Sequence, residues 1–164
     1  MTLKPYDTKT LHIYCDGGAR GNPGPAAIGF VVKSSEGKIL HQHSQRIGEA
    51  TNNVAEYKAV IAALGWIGRQ RQRTDNQYTS YTIFLDSRLV VNQLSGKFKV
   101  KDEKLKDLII QARRLEKRAN LTLENRAQLF SSNPPAIRYV LIPREQNSEA
   151  DAQVNEALDT SPTR

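Results

Sequence analysis

Four carboxylic acids stand near the ends of predicted secondary-structure elements. Asp16 ends an apolar strand, Glu56 lies in the first turns of a helix, Asp86 lies where a strand gives way to a helix, and Asp151 lies early in the last helix. Parallel pairing of the strands that carry Asp16 and Asp86 would place these two carboxylates side by side. Because like charges at that distance repel unless a cation lies between them, the pattern favours a metal site.

Each acid also has a purely structural interpretation. Asp16 could serve a turn, Glu56 could close a capping box with Asn53, Asp86 could be an N-cap, and Asp151 could be plain helix surface. The occurrence of all four favours the metal site over four separate explanations.

Carboxylate oxygens are ligands that suit Mg²⁺ or Mn²⁺ rather than Zn²⁺. Two such ions about 3.5–4 Å apart can activate a water molecule and stabilise the leaving oxygen in phosphodiester hydrolysis. The only cysteine, Cys15, lies within an apolar strand, which predicts a buried structural thiol and excludes a Cys-rich metal cage. In a protein of net charge +7, a metal site built only of carboxylates therefore fits a nuclease.

A glycine-rich segment follows Asp16. Residues 17–25 contain four Gly, two Pro and one Asn, and a second apolar run begins at Ala26. This composition predicts a strand, a tight turn and a second strand. Glycines at such a turn also let a ligand approach the main chain closely.

The charge balance favours a polyanionic partner. The 164 residues carry 24 Lys and Arg against 17 Asp and Glu, a formal net charge of +7. Between Lys97 and Arg118 there are nine bases and four acids. A solvated helix face would explain that excess, but with the overall charge it favours contact with nucleic acid.

The length and the apolar runs predict one domain. No apolar run approaches the roughly 20 residues of a membrane span, and the first residues do not resemble a signal peptide, which favours a cytoplasmic protein. We expect a flexible leader over residues 1–10, a single domain over 11–158 and a disordered tail over 159–164.

The predicted element order is βββ-α-β-α-α-β-α. It describes an α/β (mixed α+β) domain with one mixed sheet and helices packed on it. The strands are predicted over 11–15, 26–33, 39–47, 81–85 and 136–142; the helices open at Thr51, run over 87–94, carry an apolar stripe from Leu105 to Leu115, and start again at Asn147 or Ser148. Residues 69–76 are predicted as a loop, and residues 119–135 give no legible pattern beyond a loop at 131–135.

Four sequence blocks resemble the ribonuclease H type 1 family. They are Asp16-Gly17-Gly18 with Gly21-Asn22-Pro23-Gly24-Pro25, then Thr51-Asn52-Asn53-Val54-Ala55-Glu56, then Leu85-Asp86-Ser87, and finally Asn147-Ser148-Glu149-Ala150-Asp151. All four occur in the family's order, and the resemblance covers roughly residues 11 to 157.

The resemblance implies a ribonuclease H-like fold, with a five-stranded mixed sheet and helices on both faces. It also implies an endonuclease that cleaves the RNA strand of RNA/DNA hybrids and leaves 3′-hydroxyl and 5′-phosphate ends. We expect the protein to be a monomer. By matching position, Asp16, Glu56, Asp86 and Asp151 hold two Mg²⁺ ions, for which Mn²⁺ substitutes.

The resemblance also assigns substrate-binding residues. By this resemblance, Asn22, Asn52 and the backbone of the Gly17-Gly18 turn are expected to read ribose 2′-hydroxyls, the group by which a protein distinguishes RNA from DNA. Thr51 is expected, on the same basis, to contact a phosphate of the DNA strand.

The sequence departs from the better-known bacterial members of the family in the loop before the last helix, which contains no His. Its Pro143-Arg144-Glu145 resembles a second branch, in which Arg takes the place of that His. Arg144 is therefore expected to act electrostatically on phosphate or product, since it cannot act as a base. The alternative is a surface Arg that binds only backbone phosphate.

A second departure is the absence of the Trp-rich basic protrusion. Hybrid affinity must then come from Lys97, Lys99 and Lys101, or be lower. Glu49 lies near Thr51, where a base would help to bind phosphate. A catalytically weak hybrid-binding module and a DNA-directed enzyme of the same fold are the alternative functions.

Overall fold

The computed structural model of the chain describes residues 9–127 and 137–160, and its elements follow the predicted order. The strands are β1 (Thr10–Ala19), β2 (Gly24–Ser34), β3 (Ile39–Ala50), β4 (Ser80–Leu85) and β5 (Ile137–Leu141). The helices are α1 (Asn52–Arg71), α2 (Arg88–Leu94), α3 (Glu103–Ala127) and α4 (Ser148–Asp159), with a 3-10 turn at Arg144–Asn147 before α4.

The five strands form one mixed sheet in the order β3-β2-β1-β4-β5. β1, β2 and β3 are antiparallel neighbours, whereas β4 runs parallel to β1 and β5 runs parallel to β4. The predicted mixed sheet and the parallel pairing of the strands that precede Asp16 and Asp86 are confirmed. The carboxyl-terminal parts of β1 and β4 therefore lie next to each other at the same end of the sheet.

The main core lies on the sheet face that α1 covers. Inward side chains of the strands, such as Ile13, Phe30 and Ile83, are completely or almost completely buried there with Leu64 of α1. α1 lies between the sheet and α3, which buries the predicted stripe of Leu105, Leu108 and Ala112. The opposite face carries α4, so helices lie on both faces of the sheet.

The first strand is longer than predicted. β1 and β2 stay paired as far as Ala19 and Ala26, so Gly17 and Gly18 lie in the strand and do not form a turn. Ladder hydrogen bonds, which local composition does not report, keep this segment extended. The chain turns only at residues 20–23, where Arg20 N–H donates to the carbonyl of Pro25 at 2.8 Å.

Several other boundaries also differ. α1 continues to Arg71 into the predicted loop, because the buried Arg71 side chain donates to the carbonyl of Tyr78 at 2.7 Å. β3 extends three residues further than predicted, to Ala50, and α3 continues to Ala127 through part of the segment without a legible pattern. Asp159, predicted to belong to the tail, ends α4.

Thr10, predicted to belong to the leader, begins β1. The predicted leader up to residue 8, the loop over 131–135 and the tail from 161 onward lie outside the described residues. None of the helices within 9–127 and 137–160 is long and apolar enough to cross a membrane.

Candidate active site

Three of the predicted acids converge where the pairing of the central strands β1 and β4 ends. Asp16 of β1, Glu56 of α1 and Asp86 directly after β4 each offer an oxygen, and these three oxygens lie within 4.8 Å of one another. The convergence follows from the topology, because parallel pairing aligns β1 with β4 up to Tyr14 and Phe84, each two residues before an acid.

Gly17 allows Glu56 to join Asp16 and Asp86 in this cluster. A Cβ atom at Gly17 would lie 2.2 Å from the carbonyl oxygen of Ala55 and 2.5 Å from the nitrogen of Glu56. Only a residue without a side chain allows this approach of the first turns of α1 to β1. Gly17 therefore contributes to the site by setting the position of Glu56.

Asp151 lies beside the cluster, on the first turn of α4. Its charge and a side-chain hydrogen bond to Asp16 both raise the pKa of Asp16. Asp151 is exposed, and its Oδ2 accepts a hydrogen bond from Nδ2 of Asn155 at 3.2 Å. It is not one of the three acids whose oxygens lie within 4.8 Å of one another. The structure thus places the fourth acid next to Asp16, at the rim of the site.

The carboxylates perturb one another strongly. Burial, followed by the charges of Asp86 and Asp151, raises the pKa of Asp16 to about 7. Burial, followed by the charges of Asp16 and Asp86, raises the pKa of Glu56 to about 8, while the charge of Arg144 acts in the opposite direction. This accumulation of buried negative charge is unfavourable unless protons or cations compensate it.

The residues present fit a divalent cation. Oε2 of Glu56 is buried and has no hydrogen-bond partner among the described residues. Buried carboxylate oxygens are normally hydrogen-bonded, so an orphaned oxygen that belongs to a three-carboxylate cluster is well explained by an ion that it would ligate. The site is therefore a carboxylate centre suited to a hard divalent cation.

The structural alternatives for Glu56 and Asp86 are wrong. Thr51 is the N-cap of α1, and its hydroxyl accepts a hydrogen bond from Val54 N–H at 3.3 Å, so Glu56 is too far along the helix to complete a capping box. Ser87, not Asp86, caps α2. Neither acid is needed to begin its helix.

The last helix is anchored in a way that the sequence does not reveal. Asn147 is the N-cap of α4, but its side chain makes no capping bond. Its amide Nδ2 donates instead to the carbonyl of Cys15 at 2.9 Å, and the Cys15 thiol is buried as predicted.

Arg144 lies at the mouth of the site. Its Nε is 3.9 Å from Oδ2 of Asp86, and 89% of its side chain is exposed, compared with 8% for Asp86. A pair at this distance with one exposed partner is weak. The guanidinium is therefore available to an incoming phosphate.

Asn22, Thr51 and Asn52 lie together where the turn after β1 meets α1. Asn52 N–H donates to Oδ1 of Asn22 at 3.0 Å, and Oδ1 of Asn52 accepts from Ala19 N–H at 2.9 Å. Beside them is a cleft of about 360 Å³, lined by Asn22, Thr51, Asn53, Val54 and residues 102–105. Glu49 does not line this cleft; it lines another cavity with Arg46 and Leu158.

Lys97, Lys99 and Lys101 are exposed on the loop between α2 and α3. Gln93 links this loop to α1, because its side chain bonds to the carbonyl of Lys99 at 3.5 Å and accepts from the Tyr57 hydroxyl at 2.6 Å. The loop next reaches Asp102, which lines the cleft at Thr51.

Sequence reasoning missed Phe98, which lies between two of these lysines and is 44% exposed. The available signal was an aromatic residue interleaved with bases outside any helical periodicity. Basic residues with interleaved aromatics are typical of nucleic-acid-binding surfaces.

Comparison with known proteins identifies the family. The RNase H family model matches residues 8–158. The chain is 39% identical to ribonuclease HI of Halobacterium salinarum over 149 residues, which are 91% of this chain and 64% of that protein. It is 38% identical to the bifunctional protein Rv2228c of Mycobacterium tuberculosis over 150 residues. This chain spans 35% of the length of that mycobacterial relative.

Solved structures agree with the sequence comparison. The N-terminal RNase H domain of Rv2228c has a TM-score of 0.74 at 37% identity and covers 92% of this chain and 99% of that one. LC11-RNase H1 in complex with an RNA/DNA hybrid has a TM-score of 0.75 at 39% identity and covers 91% and 96%. Together with the five-stranded sheet and its acidic centre, these matches show that the chain belongs to the RNase H family and has the fold of its type 1 members.

Proposed function

We propose that the protein is an endoribonuclease that hydrolyses the RNA strand of RNA/DNA hybrids, leaving 3′-hydroxyl and 5′-phosphate ends. The observation that carries the proposal is the carboxylate cluster with its orphaned Glu56 oxygen. The activity of related type 1 enzymes and the hybrid bound to LC11-RNase H1 support the choice of substrate.

Asp16, Glu56, Asp86 and Asp151 would hold two Mg²⁺ ions, with Mn²⁺ as a substitute. When bound, such ions supply an activated water and stabilise charge on the leaving oxygen. The carboxylates themselves fix where cations gather and hence where the scissile phosphate lies. Because phosphodiester hydrolysis depends on positioning and charge stabilisation, the protein need not form a covalent bond to the RNA.

Asn22, Asn52 and the main chain at Gly17 and Gly18 would read the RNA strand. Asn52 bonds to Ala19 at the end of β1, the strand that carries Asp16, and Asn22 bonds to Asn52. Both exposed Asn amides are therefore linked to the strand of the acidic centre. A ribose 2′-hydroxyl both donates and accepts hydrogen bonds, so an amide side chain can recognise it. These contacts would place the RNA strand, rather than the DNA strand, over the acids.

Thr51 and the lysine loop would hold the DNA strand. α1 and α3 both begin at the cleft beside Thr51, and the N-termini of helices attract phosphate. Lys97, Lys99 and Lys101 extend the positive surface from this cleft, and Phe98 offers an apolar contact to sugar or base. Arg144 would act from beside Asp86, by neutralising charge on phosphate or on the departing product.

A single duplex sequence prepared as RNA/DNA, RNA/RNA and DNA/DNA tests the proposal. Each form is incubated with Mg²⁺, Mn²⁺ or a chelator, and the end groups of the products are determined. We expect cutting of the RNA strand of the hybrid only, and none with the chelator. Binding without cutting in every condition would favour the hybrid-binding module, and cutting of DNA/DNA would favour the DNA-directed enzyme.

A further inference from the structure

α4, which carries Asp151, has a small apolar contact with the rest of the protein. The helix packs on β1, β2 and β3, and three of its four buried residues, Val154, Ala157 and Leu158, form with Ala27 a cluster separate from the main core. The large aliphatic and aromatic core lies on the other face of the sheet. Polar attachments must therefore contribute much of what fixes this helix.

Those attachments are distributed along the helix. At its start, Asn147 bonds to the carbonyl of Cys15 and Lys33 forms an ion pair with Glu149. In the middle, the Ser44 hydroxyl donates to the carbonyl of Gln153 at 2.5 Å. At its end, Asp159 forms an exposed ion pair with Arg20, and Arg46 binds the last carbonyls of the helix.

Arg46 binds the C-terminus of α4 from β3. Its Nε donates to the carbonyl of Ala157 at 2.8 Å. Its Nη2 donates to the carbonyl of Leu158 at 2.8 Å and to the carbonyl of Thr160 at 2.7 Å. The last carbonyls of a helix lack partners within the helix and carry partial negative charge, so a guanidinium satisfies them in both respects.

The register of the sheet directs Arg46 to this position. Ser44 faces Gly29 and Arg46 faces Ala27 across β2 and β3, so both side chains lie on the α4 face. The pairing then shifts by one residue immediately after Arg46, a bulge that bends the edge strand at this point. The edge strand is thus shaped to reach the end of α4.

The seat of the helix adjoins the catalytic centre. A Cβ atom at Gly29 would lie 2.5 Å from Cβ of Gln153 and 2.9 Å from the carbonyl oxygen of Ala150, so α4 rests directly on the backbone of β2. Gly29 is the cross-strand partner of Asp16. A small tilt of α4 on this seat changes the separation of Asp151 from Asp16.

The displacement of Asp151 can be gauged by treating α4 as a rigid rod that pivots at Asn147. At 1.5 Å rise per residue, Asp151 is about 6 Å and Leu158 about 16 Å along the helix from the attachment at Asn147. If the C-terminal end moves by about 2 Å, Asp151 then moves by about 0.7 Å. Since Mg²⁺ requires ligands near 2.0–2.1 Å in almost ideal octahedral geometry, such a shift weakens its binding.

We propose that Arg46 is a positioning residue for Asp151: by capping the far end of α4 from the edge strand, it holds the fourth carboxylate beside Asp16, at the rim of the centre formed by Asp16, Glu56 and Asp86. This inference rests on the proposed function, because it assigns Arg46 to the metal centre of that reaction.

The test compares Arg46→Ala and Arg46→Lys with the wild type. For Arg46→Ala we expect the Mg²⁺ concentration at half-maximal hybrid cleavage to rise about tenfold and kcat to fall, with KM for the hybrid unchanged. Arg46→Lys, which keeps the charge and part of the donor set, should give intermediate values.

A second readout does not depend on cleavage. The Mn²⁺ concentration that gives half of the metal-induced rise in Tm, measured without nucleic acid, should increase in Arg46→Ala by a similar factor. If the wild type cleaves no hybrid, the proposed function fails, but the Mn²⁺ titration still decides whether Arg46 acts on the metal centre.

Arg113→Ala is the matched control. Arg113 also binds a helix-terminal carbonyl, that of Leu94 at 2.6 Å, and pairs with Glu116, but on the other face of the sheet. Its removal should lower Tm and leave the Mg²⁺ and Mn²⁺ midpoints at wild-type values. If Arg46→Ala behaves in the same way, with a lower Tm and unchanged metal midpoints, Arg46 is only a structural cap and the proposal is wrong.

Discussion

The backbone N–H of Asn52 donates to the side-chain oxygen of Asn22 at 3.0 Å, which ties the turn after β1 to the first residue of α1. The side-chain oxygen of Asn52 is itself engaged by Ala19 N–H at 2.9 Å. Each amide oxygen therefore binds the protein, and the NH2 group of each of these exposed residues could donate to a ligand. The two residues offer donors at the place where the RNA strand is proposed to lie.

Asn52→Asp separates the two functions of this amide. The new side chain keeps the oxygen that accepts from Ala19 but loses the NH2 donor. We expect Tm to stay close to that of the wild type, while KM for the hybrid rises by about tenfold, since a lost hydrogen bond to substrate corresponds to roughly 1.4 kcal/mol. Gln42→Glu, which adds the same charge at an exposed position of β3, is the control. Equal losses in both variants would show that charge alone is responsible.

The element order, the mixed sheet and most of the core were predictable from the sequence. Local periodicity reports which residues are apolar and at what spacing, as in the stripe from Leu105 to Ala112 that packs against α1. Element ends were less predictable, because distant partners decide them. Gly17 and Gly18 remain in β1 through pairing with β2, and Arg71 remains helical through its bond to Tyr78.

At the candidate site, the three clustered acids were predictable because each lies near the end of an element that the local sequence pattern indicates. The contacts that orient them were not. Gly17 against Ala55, Asn147 on Cys15 and Arg46 on the end of α4 all join segments distant in sequence, and no local pattern marks them. Phe98 carries a local signal, an aromatic residue between lysines, which a count of charges does not register.

Asp86→Asn should abolish turnover without abolishing binding. The substitution keeps the shape of a side chain that is 8% exposed but removes one negative charge from the ion-binding centre. We expect kcat to fall by about a thousandfold or more, with hybrid affinity equal to the wild type or higher, because one repulsion of phosphate is lost.

Asp107→Asn is the control for this change, since Asp107 is exposed on α3. Single-turnover cleavage and a filter-binding assay measure the two properties separately. Retained Mg²⁺-dependent cleavage in Asp86→Asn would rule out the proposed metal mechanism.

Stability of the metal-free protein should decrease with rising pH. The pKa of Asp16 is raised from 3.8 to about 7 and that of Glu56 from 4.5 to about 8, so between these values the folded state binds protons that the unfolded state has lost. The stabilisation is complete below about pH 4 and is lost as pH rises through 7 to 8. Mg²⁺ replaces the protons, so its effect should grow over the same window.

Thermal unfolding with chelator and with Mg²⁺ at pH 5.5, 7.0 and 8.5 measures this effect. Glu56→Gln, which carries no titrating group at one of the two positions, should flatten the pH dependence without metal. A Tm difference between Mg²⁺ and chelator that is the same at pH 5.5 and 8.5 would contradict the coupling.

The lysine loop should control the salt dependence of hybrid binding. Each phosphate contact contributes about 0.9 to the slope of log affinity against log salt on B-form DNA. Lys97→Ala and Lys99→Ala should each reduce the slope by about this amount, and the double variant by about twice as much. Lys38→Ala, on the turn at the opposite end of β2, should leave it unchanged. Identical slopes in all variants would show that these lysines are solvated surface residues that contact no phosphate.

Substitution by alanine should change stability in opposite directions at Gly17, which packs against α1, and at Gly68, which lies within α1. At Gly17 the added Cβ would lie 2.2 Å from the carbonyl oxygen of Ala55, and backbone cannot yield as a flexible side chain can. Gly17→Ala should therefore destabilise by about 1–3 kcal/mol and weaken cleavage, because relief of the clash moves Glu56.

At Gly68, in the interior of α1, an added Cβ would have no atom within 4 Å other than those of its chain neighbours and of the adjacent helix backbone. Gly68→Ala should stabilise by about 0.5–1 kcal/mol through lower entropy of the unfolded chain, with cleavage unchanged. Urea denaturation monitored by circular dichroism gives both free energies. If Gly17→Ala were as stable and active as Gly68→Ala, the close approach of α1 to β1 would not be what positions Glu56.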